Sequence, residues 1–316
     1  MPRLSVLLPA RNAESTVAKA VRSTLSAMPA DAELVVGDDG SSDRTAEQVL
    51  AGATRRGVVD PRLRLVEVVP GAGGITRVLT QLLEASDSEL VGRMDADDIS
   101  LPGRFSAALR CLARGDDMVF LQQIELREPA GGGAGRRIVP RVPYPIGPDE
   151  FGLHLLLTNP VCHPTMVATR DLLDRVGGYR EVPAEDYDLW LRSAAAGGRL
   201  RRLGRWGIVY RVHSAQITAS GQWRNASWAD ERQAQAFADL SERLTGVRLS
   251  RIVSMSNLTG AEREAEMARF AAAVRPPIEA LGSRRAAGLI RRLEARQSWL
   301  RNQKNPSGQN LQGETE

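Results

Sequence analysis

The first 126 residues alternate short apolar runs with stretches whose apolar side chains recur at helical spacing. The apolar runs predict five strands, namely Leu4–Leu8, Ala32–Gly37, Leu63–Val69, Leu90–Met94 and Met118–Leu126. Continuous apolar runs of this length are typical of parallel strands that are buried on both faces. Apolar positions between them, such as Val17, Val21 and Leu25, predict amphipathic helices. The alternation predicts an α/β fold with a doubly wound, mostly parallel sheet flanked by helices.

The pattern changes near residue 223, where strand signals end and segments rich in Ala, Glu and Arg predict helices. We therefore expect two domains, an α/β domain over residues 1–222 and a helical C-terminal extension over residues 223–316. Pro276-Pro277 is expected to break the helical extension, and the tail from Asn305 is expected to be disordered.

Charge, cysteine content and hydropathy limit which partners and which cellular location the sequence favours. The net charge is +4, and nearly all of the positive charge is arginine, which we interpret as a compositional preference with no nucleic-acid partner. The two cysteines form no pattern of a disulfide framework or zinc site, no apolar run has the length of a membrane span, and no signal peptide precedes the first strand. These features predict a cytoplasmic location.

The stretch 276–304 carries seven Lys and Arg residues against two Glu residues. Two interpretations of it stay open. It is either a peripheral contact with the anionic inner face of the plasma membrane, or a solvated helix face that packs on the catalytic domain.

Acidic residues follow the fourth predicted strand as Asp95-Ala96-Asp97. Alternate side chains of an extended segment point the same way, so this pair can hold a divalent cation and a ribose hydroxyl together. Ligands of doubly wound sheets bind at the carboxyl ends of the strands, which favours this interpretation over an acidic turn that caps the next helix.

Two further acidic clusters are candidate functional sites. Asp38-Asp39 ends the second strand, where one carboxylate can accept a hydrogen bond from the N–H of a pyrimidine base. The turn and cap that could explain these residues are already supplied by Ser41, Ser42 and Asp43. Glu185-Asp186 opens an apparent helix, and by spacing alone Asp186 is either a cap or a general base. His213 is a candidate metal or phosphate ligand.

Four blocks together resemble the family 2 glycosyltransferases of the GT-A fold. The blocks are 5–12 (SVLLPARN), 38–43 (DDGSSD), 94–102 (MDADDISLP) and 185–190 (EDYDLW), and the resemblance covers roughly residues 3 to 215. It implies a nucleoside pocket lined by Pro9, Arg11 and Asp39, with Asp38 in the same cluster. It also implies the following roles: Asp95 contacts ribose, Asp97 binds metal and pyrophosphate, Asp186 is the general base with Glu185 beside it, Arg211 and His213 lie near the diphosphate, and Arg77 contacts uracil or phosphate.

The resemblance implies an inverting transfer of a sugar from a nucleotide-sugar, expected to be a UDP-sugar, with Mn²⁺ or Mg²⁺ as cofactor. The expected acceptor is a saccharide or a lipid-linked sugar in the assembly of cell-surface polysaccharide or glycolipid. Two alternatives are a sugar-nucleotide pyrophosphorylase-like nucleotidyltransferase and a non-catalytic nucleotide-sugar-binding protein. The former needs a Gly-rich loop with Arg or Lys after the first strand, which residues 9–12 (PARN) do not form, and the latter predicts loss of Asp97 or Asp186.

Overall fold

The computed structural model describes residues 2–69, 74–127, 135, 137–212 and 221–303. Its contacts divide the chain into two compact units. The first consists of Met1–Pro148, Val161–Glu181 and Ala196–Ser220, and the second of Asp149–Pro160, Val182–Ala195 and Gly221–Glu316. The second unit thus takes in two earlier segments of the chain as well as the C-terminal helices.

All strands among the described residues belong to the first unit. They are β1 Leu4–Ala10, β2 Ala32–Asp38, β3 Thr54–Arg55, β4 Val58–Val59, β5 Leu63–Val66, β6 Leu90–Arg93, β7 Ile99–Ser100, β8 Met118–Arg127, β9 Arg137–Pro140, β10 Val167–Thr169 and β11 Leu200–Val212. The helices of this unit are α1 Val17–Ala27, α2 Thr45–Ala53, α3 Ile75–Glu84, α4 Arg104–Leu112 and α6 Arg170–Arg175. The α/β fold predicted from the sequence is confirmed.

The main sheet of the described residues has the order β5-β2-β1-β6-β10-β8-β11-β7, with β9 paired to β8. Strands β5, β2, β1 and β6 are parallel, as predicted, and so are β8 and β11. The sheet is nevertheless mixed, because β10 runs antiparallel to both of its neighbours, β6 and β8. Strand β1 is buried along its whole length, which explains its unbroken apolar run.

Strand β11 approaches β8 closely and then turns toward β7. A Cβ atom on Gly207 would lie 2.7 Å from the Cβ atom of Leu121, so a glycine is required where the two strands meet. Register shifts on either side of Trp206 bend the strand. Beyond the bend, Val209 pairs with Ile99, which brings the end of β11 beside the segment that follows Asp95–Asp98.

The second unit is helical in its described part. Its helices are α5 Pro148–Leu157, α7 Glu185–Ala195, α8 Gly221–Ala229, α9 Glu231–Thr245, α10 Gly260–Glu279 and α11 Ser283–Arg301. Side chains such as Phe237, Phe270 and Leu289 form its buried interior. The expected break at Pro276-Pro277 is wrong: α10 continues to Glu279, since backbone bonds resume where Ala280 N donates to Pro276 O at 3.0 Å.

Helix α11 carries most of the basic stretch, and several of its arginines contact α5. Arg285 lies 3.8 Å from Asp149, Arg292 Nη1 lies 3.2 Å from His154 Nδ1, and Arg296 Nε donates to Leu157 O at 2.8 Å. Across the described ranges, the helices are all too short or too polar to cross a membrane. The predicted disordered tail lies outside the described residues.

Candidate active site

The carboxyl ends of β1, β2 and β6 meet at one edge of the sheet in the first unit. Ala10 pairs with Asp38 across β1 and β2, and Leu7 pairs with Arg93 across β1 and β6. The segments that leave these three strands carry the acidic residues singled out in the sequence. The parallel register therefore brings Asp39 and Asp95 to the same edge, where open α/β sheets bind their ligands.

Three aspartates, Asp95, Asp97 and Asp98, place a carboxylate oxygen each within 4.8 Å of the others. Asp98 is only 1% exposed, and its Oδ1 accepts a hydrogen bond from Arg211 N at 3.0 Å. Its buried Oδ2 has no hydrogen-bond partner among the described residues. Burial, and then the charges of Asp95 and Asp97, raise the pKa of the Asp98 carboxyl.

This group of oxygens suits a hard divalent cation. Mg²⁺ and Mn²⁺ prefer carboxylate oxygens and are commonly completed by substrate phosphates. A cation here would give the buried Asp98 Oδ2 the partner that it lacks and would offset the mutual repulsion of the three carboxylates. The residues therefore fit the expected cofactor.

Three arginines surround the acidic group. Arg93 is buried at the end of β6, and its Nη2 lies 2.5 Å from Asp95 Oδ1. Arg104 is buried at the start of α4 and donates to the carbonyls of Arg93 and Pro164, and burial lowers the pKa of its guanidinium to about 9. Arg211 donates from Nε to Asp97 O at 2.6 Å. The basic side chains thus fix both the backbone and the carboxylates of this segment.

The two aspartates of the second acidic cluster, Asp38 and Asp39, have different surroundings. Asp38 Oδ1 accepts hydrogen bonds from Ser41 N at 3.0 Å and Ser41 Oγ at 2.5 Å, which is turn chemistry. Asp39 is 5% exposed, and its Oδ2 accepts from Arg11 Nη1 at 3.2 Å. The Oδ1 atom of Asp39 is buried without a hydrogen-bond partner in the described part of the chain. A buried, unsatisfied acceptor at this edge is suited to an N–H of a bound base.

Cross-bonds join the loops after β1 and β2. Asn12 N donates to Ser41 Oγ at 2.9 Å, and Asn12 Oδ1 accepts from Ser42 N at 2.9 Å. Asn12 has a φ of 48°, a left-handed conformation that asparagine tolerates better than most residues. These bonds hold Arg11 against Asp39. Pro9 lies within β1, opposite Gly37 of β2.

Arg77, a candidate from the sequence, and the buried His163, which was not one, have other surroundings. Arg77 Nε pairs with Glu181 Oε1 at 2.7 Å, and the two side chains are 52% and 61% exposed. His163 is buried, its Nε2 lies 2.9 Å from the Tyr179 hydroxyl, and burial lowers the pKa of its imidazole well below the usual value. His213 lies outside the described residues.

In the second unit, Glu185 and Asp186 open α7. Asp186 Oδ1 accepts from Tyr187 N at 2.7 Å, and Oδ2 accepts from Asn159 Nδ2 at 3.1 Å. The residue before the helix, Ala184, has a φ of 55°, which is unusual for alanine. Both carboxylate oxygens of Asp186 therefore have fixed hydrogen-bond donors, and the helix start that carries them is strained.

The structure thus groups Asp95 and Asp97 with Arg211, and Arg11 with Asp39. Asp98, Arg93, Arg104 and Asn159 were not among the candidate site residues predicted from the sequence. Asp98 directly continues the acidic run, and Arg93 alternates with Asp95 and so shares its direction. Asp98 and Arg93 could therefore have been predicted from the sequence, whereas no pattern in the neighbouring residues indicates a role for Arg104 or Asn159.

Comparison with known proteins gives consistent relatives. EpsE of Bacillus subtilis, which is named as a glycosyltransferase, is 28% identical over 212 residues, 63% of this chain and 69% of that protein. The E. coli protein WfgD, named UDP-Glc:alpha-D-GlcNAc-diphosphoundecaprenol beta-1,3-glucosyltransferase, is 27% identical over 191 residues, 60% of this chain and 68% of its own length. S. aureus TarS 1-349, solved in complex with UDP-GlcNAc, has a TM-score of 0.58 at 18% identity, over 95% of this chain and 89% of that chain.

These relatives favour the glycosyltransferase hypothesis over the nucleotidyltransferase alternative. The likeness to TarS shows that the chain has the GT-A-like fold expected from the sequence. The model of glycosyl transferase family 2 matches residues 5–177. Because this match spans more than half of the chain, the protein belongs to glycosyl transferase family 2.

Proposed function

We propose that the protein is a metal-dependent, inverting glycosyltransferase that moves a sugar from a UDP-sugar to an acceptor hydroxyl. The observation that carries this proposal is the group formed by Asp95, Asp97 and Asp98, which lies at the same carboxyl edge of the sheet as the Arg11–Asp39 pair. In this arrangement a nucleoside would bind near Asp39 and its diphosphate near Asp97. The TarS structures with UDP-GlcNAc and with UDP support a uridine nucleotide as donor.

Each residue has a distinct task in this proposal. Asp39 would accept the N–H of the base through its unpartnered Oδ1, with Arg11 holding the other oxygen. Asp95 would contact the ribose. Asp97, supported by Asp95 and Asp98, would hold Mn²⁺ or Mg²⁺. When bound, such a cation supplies Lewis-acid stabilisation of the leaving diphosphate, typically worth several kcal/mol. Arg211 would add positive charge near the same phosphates.

The transfer itself would be a single displacement. The acceptor hydroxyl would give its proton to Asp186 as its oxygen attacks the anomeric carbon from the face opposite UDP. The bond between that carbon and the diphosphate oxygen would break, so the configuration would invert. A positioned base of this kind contributes about 10²- to 10⁴-fold to the rate.

The acceptor class follows from the relatives by analogy. WfgD is named for a sugar carried on diphosphoundecaprenol, and ExoU of Rhizobium meliloti, 29% identical over 225 residues (68% of this chain, 64% of that protein), is named for succinoglycan biosynthesis. We infer a saccharide or lipid-linked saccharide acceptor in the assembly of cell-surface polysaccharide or glycolipid.

Calorimetry with UDP, in the presence and absence of Mn²⁺, tests the donor site. We expect UDP binding that strengthens with Mn²⁺ in the wild type and loses this dependence in Asp97→Asn. Slow release of UDP from a UDP-sugar should then disappear in Asp186→Asn while UDP binding is retained. Metal-independent UDP binding, or wild-type turnover in Asp186→Asn, would refute the corresponding part of the proposal and would favour a protein that binds without catalysis.

A further inference from the structure

The carboxylate of Asp186 accepts a hydrogen bond from its own helix and another from outside that helix. Oδ1 accepts the N–H of Tyr187, the next residue of α7, so this bond is part of the helix start. Oδ2 accepts from the side-chain amide of Asn159 at 3.1 Å, and Asn159 belongs to the segment that leaves α5. Donors on two different elements of the same unit thus contact the Asp186 carboxylate.

The end of α5 that presents Asn159 is itself held from two sides. Carbonyls in the last turn of a helix lack helical partners. In α5, Leu155 O accepts from the Tyr187 hydroxyl at 2.6 Å and Leu157 O accepts from Arg296 Nε of α11 at 2.8 Å. Asn159 follows Leu157 by two residues. A guanidinium at this terminus also interacts favourably with the negative end of the helix dipole.

We propose that Asn159 is a positioning residue that orients the Asp186 carboxylate for proton transfer, and that Arg296 of the C-terminal helix supports it by fixing the end of α5. This inference rests on the proposed role of Asp186 as general base. In this proposal α11 acts on the reaction indirectly. Arg296 binds Leu157 O, Leu157 lies two residues before Asn159, and Asn159 donates to Asp186.

The chemistry of a carboxylate base explains why such a donor is useful. A hydrogen bond to the ionised form favours that form, so the amide of Asn159 keeps Asp186 ready to accept a proton. It also leaves the carboxylate fewer orientations, so that a lone pair stays directed at the acceptor hydroxyl. A neutral amide stabilises and orients the carboxylate, and it has no acidic proton of its own that could be transferred to Asp186.

Other ionisable groups of this unit surround the pair. Glu185 shares the first turn of α7, and Asp188 is paired with Arg192 one turn on. Arg251 lies 5.8 Å from the centre of the Tyr187 ring, with Asp230 and Arg296 as further charges nearby. Burial raises the pKa of Tyr187 to about 12, so it stays a neutral donor to α5. Glu185 is therefore the carboxylate whose titration must be separated from that of Asp186.

The experiment measures kcat/KM against pH for release of UDP by water. The probe is whichever of UDP-glucose, UDP-galactose and UDP-GlcNAc, with Mn²⁺, raises the Tm most. Two to three hydrogen bonds can lower a carboxylate pKa by about 2 units, so losing one should move the acid limb by about 0.5 to 1 unit. For Asn159→Ala we expect this shift to higher pH, about tenfold lower kcat/KM, and an unchanged Kd for UDP with Mn²⁺.

Matched variants make the result specific. Asn159→Gln, which retains an amide donor, should restore part of the loss. Glu185→Gln, which removes a negative charge beside Asp186, should move the acid limb to lower pH, the direction opposite to that of Asn159→Ala. Arg296→Ala should shift the limb in the same direction by less, whereas Arg291→Ala, on an exposed part of the same helix, should leave it unchanged. If Asn159→Ala does not fold, Asn159→Asp carries the test, since its added negative charge must raise the acid limb further.

A wild-type acid limb in Asn159→Ala, or in Asn159→Asp where that variant carries the test, overturns the positioning role. This failure is distinct from that of the proposed function, because Asp186→Asn would still abolish turnover. Wild-type turnover in Asp186→Asn would instead remove the general base and this inference with it.

Discussion

The Arg11–Asp39 pair allows the nucleobase preference to be predicted from hydrogen-bond geometry. Arg11 Nη1 occupies Oδ2 of Asp39, and Oδ1 is buried without a partner among the described residues. In Asp39→Asn the amide oxygen should face Arg11, because a cation requires an acceptor, and the NH₂ group should take the place of Oδ1. A donor would then oppose the N3–H of uracil, whereas it would match the N3 acceptor of cytosine.

The size of the effect follows from the bonds exchanged. Loss of a hydrogen bond to a charged acceptor costs about 1.5 to 3 kcal/mol, and 1.4 kcal/mol is tenfold in Kd. UDP should therefore bind about 10- to 150-fold more weakly to Asp39→Asn. CDP gains a neutral hydrogen bond of about 0.5 to 1.5 kcal/mol, so the ratio of the two affinities should change by at least about 30-fold.

Calorimetry with UDP and CDP at saturating Mn²⁺ measures both affinities. Asp38→Asn is the matched control, since an asparagine oxygen can still accept from Ser41 and should leave UDP binding within about threefold of the wild type. Arg11→Ala combined with Asp39→Asn should recover part of the UDP affinity, because the amide is then free to turn. Wild-type UDP binding in Asp39→Asn would show that this residue does not contact the base.

Three further outcomes test other parts of the molecule. Asp97→Asn should abolish the Mn²⁺ dependence of UDP binding, and an intact dependence would remove Asp97 from the metal site. Arg192→Met should lower the free energy of unfolding by about 3 to 5 kcal/mol in urea titrations, since Asp188 would remain buried and unpaired, while adding Asp188→Asn should recover much of it. His163 has a lowered pKa in the fold, so the unfolded chain binds the extra proton below about pH 6.5 and stability falls with falling pH. His163→Gln should remove about 1.4 kcal/mol per pH unit of that slope below pH 6.5, and an unchanged slope would contradict a buried neutral imidazole.

The parallel half of the sheet was predictable because its strands are apolar along their length. Leu4–Ala10 and Leu90–Arg93 are buried on both faces, so hydrophobicity alone marks them. Strand β11 was not predicted, since Gly204 and Gly207 interrupt its pattern and its register shifts twice. The three residues of β10 are too few to form a recognisable pattern, and their antiparallel direction depends on distant pairing.

Some residues of the candidate site could likewise be predicted from the sequence, and others could not. Asp95, Asp97 and Asp39 were identified because their side chains follow predicted strands, whose ends must meet in a parallel sheet. The unequal roles of Asp38 and Asp39 depend on which carboxylate the Ser41 turn occupies, and this follows from the fold of the loop. Asn159 lies 27 residues before Asp186, and only the tertiary fold, in which Tyr187 also donates to Leu155 O, brings the two together.

The second unit draws on separate portions of the chain, and this affects how the protein can be dissected. Helix α7 carries Asp186 and packs on α9, where Gln233 Nε2 also donates to Ala184 O at 3.4 Å. A truncation after residue 222 would therefore remove α9, against which α7 packs, and expose part of the buried surface of α7 to water. We therefore expect a fragment without the C-terminal helices to lose the support of the helix that carries Asp186, and chimaeras with relatives would need to exchange residues 149–160 and 182–195 together with them.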